Sequence, residues 1–166
     1  MSVIRPAAAA DVPAILRMIH DLAIYEKEPD AVRNTPAMLS EALFGENPRV
    51  YATIAENATG EVQGFALWFL NYSTWEGVHG IYLEDLYVMP EARGAGHGKA
   101  LLQHLANTAV ERGYARVEWS VLDWNEPSIA FYKNLGAAPM DEWSTFRLTG
   151  EALAAFGAAR TATARG

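Results

Sequence analysis

The sequence predicts an α/β protein of the layered, α+β kind, with a mixed, partly parallel central β-sheet flanked by helices. Two runs rich in aromatic and aliphatic residues, 50–56 and 62–72, flank a turn containing Gly60 and read as an antiparallel hairpin. A strand over 81–88, a glycine-rich loop over 93–98, a helix over 99–112 and a strand over 117–122 follow in the order of a parallel crossover. No repeat or low-complexity linker divides the chain, so one domain is expected over 1–153, with an Ala-rich tail over 154–166 that frays.

The remaining elements follow from local signals. Residues 3–5 make a short edge strand, and Asp11 is placed to cap a helix whose Ile15, Ile19 and Leu22 recur at helical spacing and which ends near Tyr25. The polar stretch Glu26-Lys27-Glu28-Pro29-Asp30 is an acidic loop. Thr35-Pro36 then supplies an N-cap and first-turn proline for a helix that Gly45 terminates. In the helix over 99–112, Leu101, Leu102, Leu105 and Ala109 share one face. A last helix over 126–135 stops at Gly136, and residues 146–148 form the core of a final strand.

Composition narrows the chemistry. With 13 Lys and Arg against 20 Asp and Glu, the net charge of −7 argues against a nucleic-acid partner and suits a site that attracts cations. There are no cysteines, which removes disulfides, a thiolate nucleophile and a thiolate zinc site. His20, His79, His97 and His104 lack metal-ligand spacing, so no metal is expected. The N-terminal residues show no signal-peptide pattern and no run approaches a membrane span, giving the expectation of a cytoplasmic protein without a membrane partner.

The strongest local signal is Arg93-Gly94-Ala95-Gly96-His97-Gly98, set between a strand and a helix whose first amides lack partners. Glycines let the backbone approach an anion, the helix dipole favours negative charge, and Arg93 and Lys99 add two cations to an acidic chain. The same pattern also suits a surface turn without a ligand. It is not a P-loop, since Ala100 follows Gly98-Lys99 where magnesium needs a hydroxyl, and the third glycine comes too early for the dinucleotide fingerprint. No G-x-S-x-G elbow supports hydrolase chemistry.

Three segments together carry a resemblance: Tyr82-Leu83-Glu84-Asp85-Leu86-Tyr87-Val88-Met89-Pro90, the loop Arg93-x-x-Gly96-x-Gly98, and Asn125-Glu126-Pro127-Ser128-Ile129-Ala130-Phe131-Tyr132-Lys133-Asn134-Leu135-Gly136. Over residues 3–153 the chain resembles the GNAT superfamily of N-acetyltransferases. Within it, the chain resembles the diamine (spermidine/spermine) acetyltransferases, and Tyr72-Ser73-Thr74-Trp75 with Val121-Leu122-Asp123-Trp124-Asn125 looks closer to their thialysine acetyltransferase relatives. Ser73 departs from the aspartate that the polyamine enzymes carry there, which weakens the case for a multiply charged amine.

The resemblance implies acetyl-CoA as co-substrate, direct transfer to the primary amine of a small cation in a ternary complex, and a homodimer. It implies Tyr132 as general acid, although helical spacing alone places Tyr132 with Ile129 on a core face. It implies that Glu84 binds or deprotonates the amine, with a structural ion pair as the alternative. Adjacent on a strand, Glu84 and Asp85 are expected to point to opposite faces and not to act as a dyad. For acetyl-CoA the resemblance implies backbone contacts at Leu86, Tyr87 and Val88, the loop from Arg93 through Gly94, Ala95, Gly96, His97 and Gly98 to Lys99, and contacts from Asn125, Ser128 and Lys133. Asn125 and Ser128 also read as ordinary helix capping. Glu26, Asp85, Trp75 and Trp143 are candidates for the amine site, since carboxylates and aromatic faces suit a cation, while a solvated acid and packed tryptophans remain the alternative. Two other functions stay open: an acetyl-CoA-binding sensor without catalysis, and acetylation of a protein lysine or N-terminus.

Overall fold

A computed structural model describes residues 1–158, in two compact units, Met1–Asp123 and a second that begins at Trp124. The first unit carries a five-stranded sheet in the order β1 (Val3–Pro6), β2 (Tyr51–Glu56), β3 (Val62–Ser73), β4 (Val78–Val88), β5 (Val117–Trp119). The first four strands form an antiparallel meander and β4 pairs with β5 in parallel, the mixed sheet the sequence predicts. The β2–β3 turn is built as its residues suggest: the Asn57 side chain accepts from the amides of Thr59 and Glu61, and Gly60 adopts φ 82°.

Helices α1 (Val12–Tyr25) and α2 (Pro36–Phe44) cover one face of this sheet. There Ile15, Met18, Leu39 and Leu43 close over Ile54, Phe65, Leu67 and Tyr87 as one buried cluster. Helix α3 (His97–Glu111) covers the other face with Leu101, Leu102, Leu105 and Ala109, and Arg112 at its end lies 5.9 Å from the Trp68 ring centroid. Thr35 caps α2 by accepting from the amide of Met38 at 3.2 Å, with Pro36 in the first turn.

Asp11 does something other than cap α1. Its carboxylate accepts from both terminal nitrogens of Arg5 at 2.7 and 2.9 Å and from the amide of Ala8 at 2.7 Å, so β1 is tied to the entry of α1. Arg5 donates in addition to Glu56 at 2.6 Å, joining β1 to β2. The guanidinium holds the Asp11 carboxyl below its ordinary value, and a group lowered in this way stabilises the fold above pH about 4 and loses that contribution as pH falls. Asp11→Asn is expected to destabilise the protein by about 2 kcal/mol at pH 7, because it leaves a half-buried guanidinium short of a partner. Urea unfolding should show the gap between variant and wild type narrowing toward pH 3.

The second unit contains α4 (Glu126–Asn134) and α5 (Gly150–Ala158). Asn125 caps α4, its side chain accepting from the amide of Ser128 at 3.4 Å, and Gly136 ends the helix at φ 91° with its amide bonded to the carbonyl of Lys133.

Three boundaries differ from expectation by two or three residues. β5 ends at Trp119, not 122; β4 begins at Val78, not 81; and α3 begins at His97, not 99. Residues 146–148 form no strand: Phe146 is exposed and no ladder includes the segment, and a strand without a neighbour's backbone groups has nothing to stabilise it. The part of the expected frayed tail up to Ala158 is helical, in a run of alanines with high helix propensity, and residues 159–166 lie outside the described residues. Among the described residues no helix is long and apolar enough to cross a membrane, and no His, Asp and Glu side chains gather into a metal-sized cluster.

Candidate functional site

The decisive local event is a bulge in β4. Asp85 opposes Leu67 across the β3–β4 ladder while Leu83 opposes Trp68, which leaves Glu84 as the extra residue. Above the bulge, Asp85 shares the α1 and α2 face with Leu67 and Tyr87. Below it, Leu83 pairs with Trp68 on the α3 face, so its neighbour Glu84 points to the opposite one. A bulge shifts the alternation by one residue, and it places Glu84 and Asp85 on the same side of the sheet. The expectation of opposite faces is therefore corrected.

Electrostatics agree with that geometry. Asp85 is pushed up to about 6, first by burial and then by the charges of Glu84 and Glu26. Glu26, just past the end of α1, is raised by burial and by Glu84. Three carboxylates thus crowd one another, with no cation compensating them among the charges that act on Asp85 and Glu26. Such a cluster favours an incoming ammonium, which relieves the repulsion it meets.

Glu26 and Asp85 line a cavity of about 300 Å³, at the small end of the range for small-molecule sites. Its apolar wall is Ile19, Leu22 and Ala23 of α1, and its other rim is the chain from Ala31 to Asn34. The sequence points to Glu26 and Asp85 but not to Arg33 or Asn34. The available signal was the cation that follows directly on an acidic loop.

Beside the carboxylates, β4 is open along one edge. Its parallel pairing with β5 stops at Leu83 and Trp119, whereas β4 itself runs to Val88. Among the described residues no strand pairs with that edge from Glu84 through Leu86, Tyr87 and Val88, so the backbone groups that face away from β3 can meet an extended, amide-bearing ligand, apart from the Val88 carbonyl, which accepts from Arg93.

The glycine loop continues from there. Gly94 and Gly96 have φ of 85° and 86°, a region that disfavours other residues, and a Cβ on either would meet nothing within 4 Å. Gly96 begins α3 in the left-handed conformation, no side chain caps the helix, and its first intrahelical bond runs from the amide of Ala100 to the carbonyl of Gly96. The amides of His97, Gly98 and Lys99 are consequently presented to an anion.

Side chains in the loop divide their roles. His97 turns inward and is buried, its Nδ1 2.8 Å from Ser2 Oγ, so its main-chain amide is what faces outward. Arg93 folds back: Nε donates to the carbonyl of Val88 at 3.0 Å, and the guanidinium lies 5.6 Å from the ring centroids of both Tyr25 and Tyr87. Ala95 and Lys99 are exposed.

Trp75 is exposed on the β3–β4 turn and does not line the cavity; six strand residues lie between Val78 and Asp85, about 20 Å. Tyr132, Ser128 and Lys133 lie on α4 of the second unit, with the Tyr132 ring 5.6 Å from that of Phe131. Trp143 is exposed in the same unit.

The sequence matches the model of the acetyltransferase (GNAT) family over residues 15–137. The chain belongs to the GNAT family. As a GNAT acetyltransferase it is 42% identical over 160 residues to a thialysine N-epsilon-acetyltransferase of Sus scrofa, covering 90% of this chain and 94% of that protein. It is 32% identical to an L-ornithine N5-acetyltransferase of Arabidopsis thaliana, covering 92% of this chain and 86% of the relative. Among solved structures, an integron cassette protein from the mobile metagenome of V. cholerae superposes with a TM-score of 0.79 at 25% identity, over 95% of this chain and 98% of that one. Within the GNAT fold, the mixed sheet and its unpaired β4 edge are the frame on which the carboxylates and the glycine loop sit.

Proposed function

We propose that the protein transfers an acetyl group from acetyl-CoA to the primary amine of a small cationic substrate of the thialysine, ornithine or polyamine kind, directly within a ternary complex. The observation that carries this reading is the β4 bulge, which sets Glu84 and Asp85 on one face beside Glu26 and next to the open strand edge. The family match runs from residue 15 to 137, across the boundary of the two units, and supports one acetyltransferase domain over 1–153.

The residues present fit the co-substrate. Acetyl-CoA, when bound, supplies a thioester whose carbonyl carbon is attacked by the amine with loss of the CoA thiolate. The free amides at the start of α3 and the empty space beside Gly94 and Gly96 suit its pyrophosphate, and the open edge at Leu86, Tyr87 and Val88 suits its pantetheine and polarises the carbonyl. Asn125, Ser128 and Lys133 are assigned to the same molecule on the sequence motif. Glu84, with Asp85 and Glu26, holds the ammonium and accepts its proton, directly or through water, so that the free amine can attack. Tyr132 gives its phenolic proton to the departing thiolate.

The test is release of free thiol from acetyl-CoA by the pure protein with thialysine, L-lysine, L-ornithine, spermidine, putrescine and a basic peptide. Turnover of one or more small amines is the expected result. Turnover of the peptide alone overturns the small-amine reading, and acetyl-CoA binding without any thiol release makes the protein a sensor.

A further inference from the structure

We propose that Arg33 selects the acceptor: in the cavity of Glu26 and Asp85 it receives the carboxylate of an amino acid whose side chain bears the amine, favouring such a zwitterion over a diamine of equal length. The inference rests on the acetyl-transfer reading and specifies its substrate class.

The cavity has two poles. Glu26 from the end of α1 and Asp85 from β4 make one, while Arg33 and Asn34, on the chain leading to α2, make the other, with the apolar side chains of Ile19 and Leu22 lining the same space. The poles do not neutralise one another. Ion pairs join Arg5 to Asp11 and Glu56, and Arg116 to Glu118; Arg33 is in none of these. Nor is Arg33 among the charges that act on Glu26, which responds to Glu84, or on Asp85, which responds to Glu84 and Glu26. A guanidinium on the rim of a small cavity, without a carboxylate of its own, is matched by a carboxylate on the ligand, which it engages with two parallel N–H bonds. Asn34 adds amide donors beside it.

A diamine offers an ammonium at each end, and when one end meets Glu26 and Asp85 the other is left near Arg33, where like charges repel. An ω-amino acid offers the complementary pair. Discrimination thus has an attractive and a repulsive component acting through one residue.

The experiment compares kcat/KM for L-lysine with that for cadaverine, its decarboxylated counterpart, and thialysine with its own decarboxylated diamine, for the full-length wild type, Arg33→Met, Arg33→Lys and Arg33→Glu. The wild type is expected to favour the amino acid of each pair. Arg33→Met should lower the amino-acid-to-diamine ratio by about tenfold, the upper range for a pair that stays partly in water. Arg33→Lys should lower it less, and Arg33→Glu should invert the preference. Arg33 is exposed, so an unchanged melting temperature is expected to accompany each variant. Equal use of both members of a pair by the wild type, or the same ratio in all four proteins, overturns this inference and leaves acetyl transfer standing. Absence of thiol release with every acceptor overturns the acetyl-transfer reading itself, and this inference with it.

Discussion

Replacing Tyr132 with phenylalanine is expected to lower kcat by about 10²–10⁴-fold, the range for loss of a positioned general acid, with the affinity for acetyl-CoA within about twofold of wild type. When the C–S bond breaks, a thiolate leaves, and without a nearby proton it recaptures the acetyl group. An ordinary phenol and an ordinary thiol titrate near 10 and 8.5, so handing over the proton is only about 1.5 units uphill, small beside the barrier it removes. Phenylalanine keeps the ring, and with it the packing against Phe131, while deleting the proton. Single-turnover thiol release alongside equilibrium binding of acetyl-CoA separates chemistry from binding. An unchanged kcat would remove Tyr132 from the mechanism.

Asp85→Asn is expected to produce a protein that is less active and more stable. Burial and the charges of Glu84 and Glu26 push the Asp85 carboxyl up to about 6, against an ordinary value of 3.8. The folded state therefore keeps a proton that the unfolded chain releases, and stability falls as pH rises from about 4 to 6 and stays lower above that. Asparagine has no such liability, so the variant should gain on the order of 1–2 kcal/mol at pH 8 and nothing at pH 4. Amine binding carries the opposite sign. A bound ammonium favours the ionised carboxylate, so wild-type amine affinity should rise as pH climbs through about 6, and binding just below that value should release a proton to buffer. In the variant this step disappears and kcat/KM for the amine falls by about 10²-fold, the consequence of removing one of three charges that hold the cation in a partly buried site. Calorimetry in buffers of different ionisation enthalpy measures the released proton. An identical pH profile in variant and wild type would exclude Asp85 from amine binding.

Legibility in the sequence followed the range of the interactions involved. Thr35-Pro36, the Asn57-to-Gly60 turn and the glycines at 94 and 96 act within a few residues of themselves, and each does in the fold what its chemistry implies. The parallel crossover through α3 was equally legible, because strand, loop and helix are contiguous. The bulge was not. Alternation along β4 is the default for any strand, and only the register against β3 shows that Leu83 and Asp85 oppose consecutive residues. Asp11 looked like a cap because its partner Arg5 lies on another element. Residues 146–148 have strand-forming side chains, but strand formation depends on a neighbour that composition does not supply. Arg33 lines the cavity only once α1 has brought Glu26 alongside the chain that follows it.

The contact between Ser2 and His97 has a consequence for the order in which the protein matures. It spans 95 positions, and it anchors the first residue of α3, where the glycine loop hands over to the helix. During synthesis β1 emerges early yet has no histidine to meet until most of the first unit has been made, and its sheet partner β2 is itself some fifty residues downstream. Closing contacts so distant in sequence is slow, because the entropy of the intervening loop is lost first. A nascent chain that has already formed its β2–β3 hairpin therefore still lacks this anchor of the anion cradle, because His97 has yet to be made.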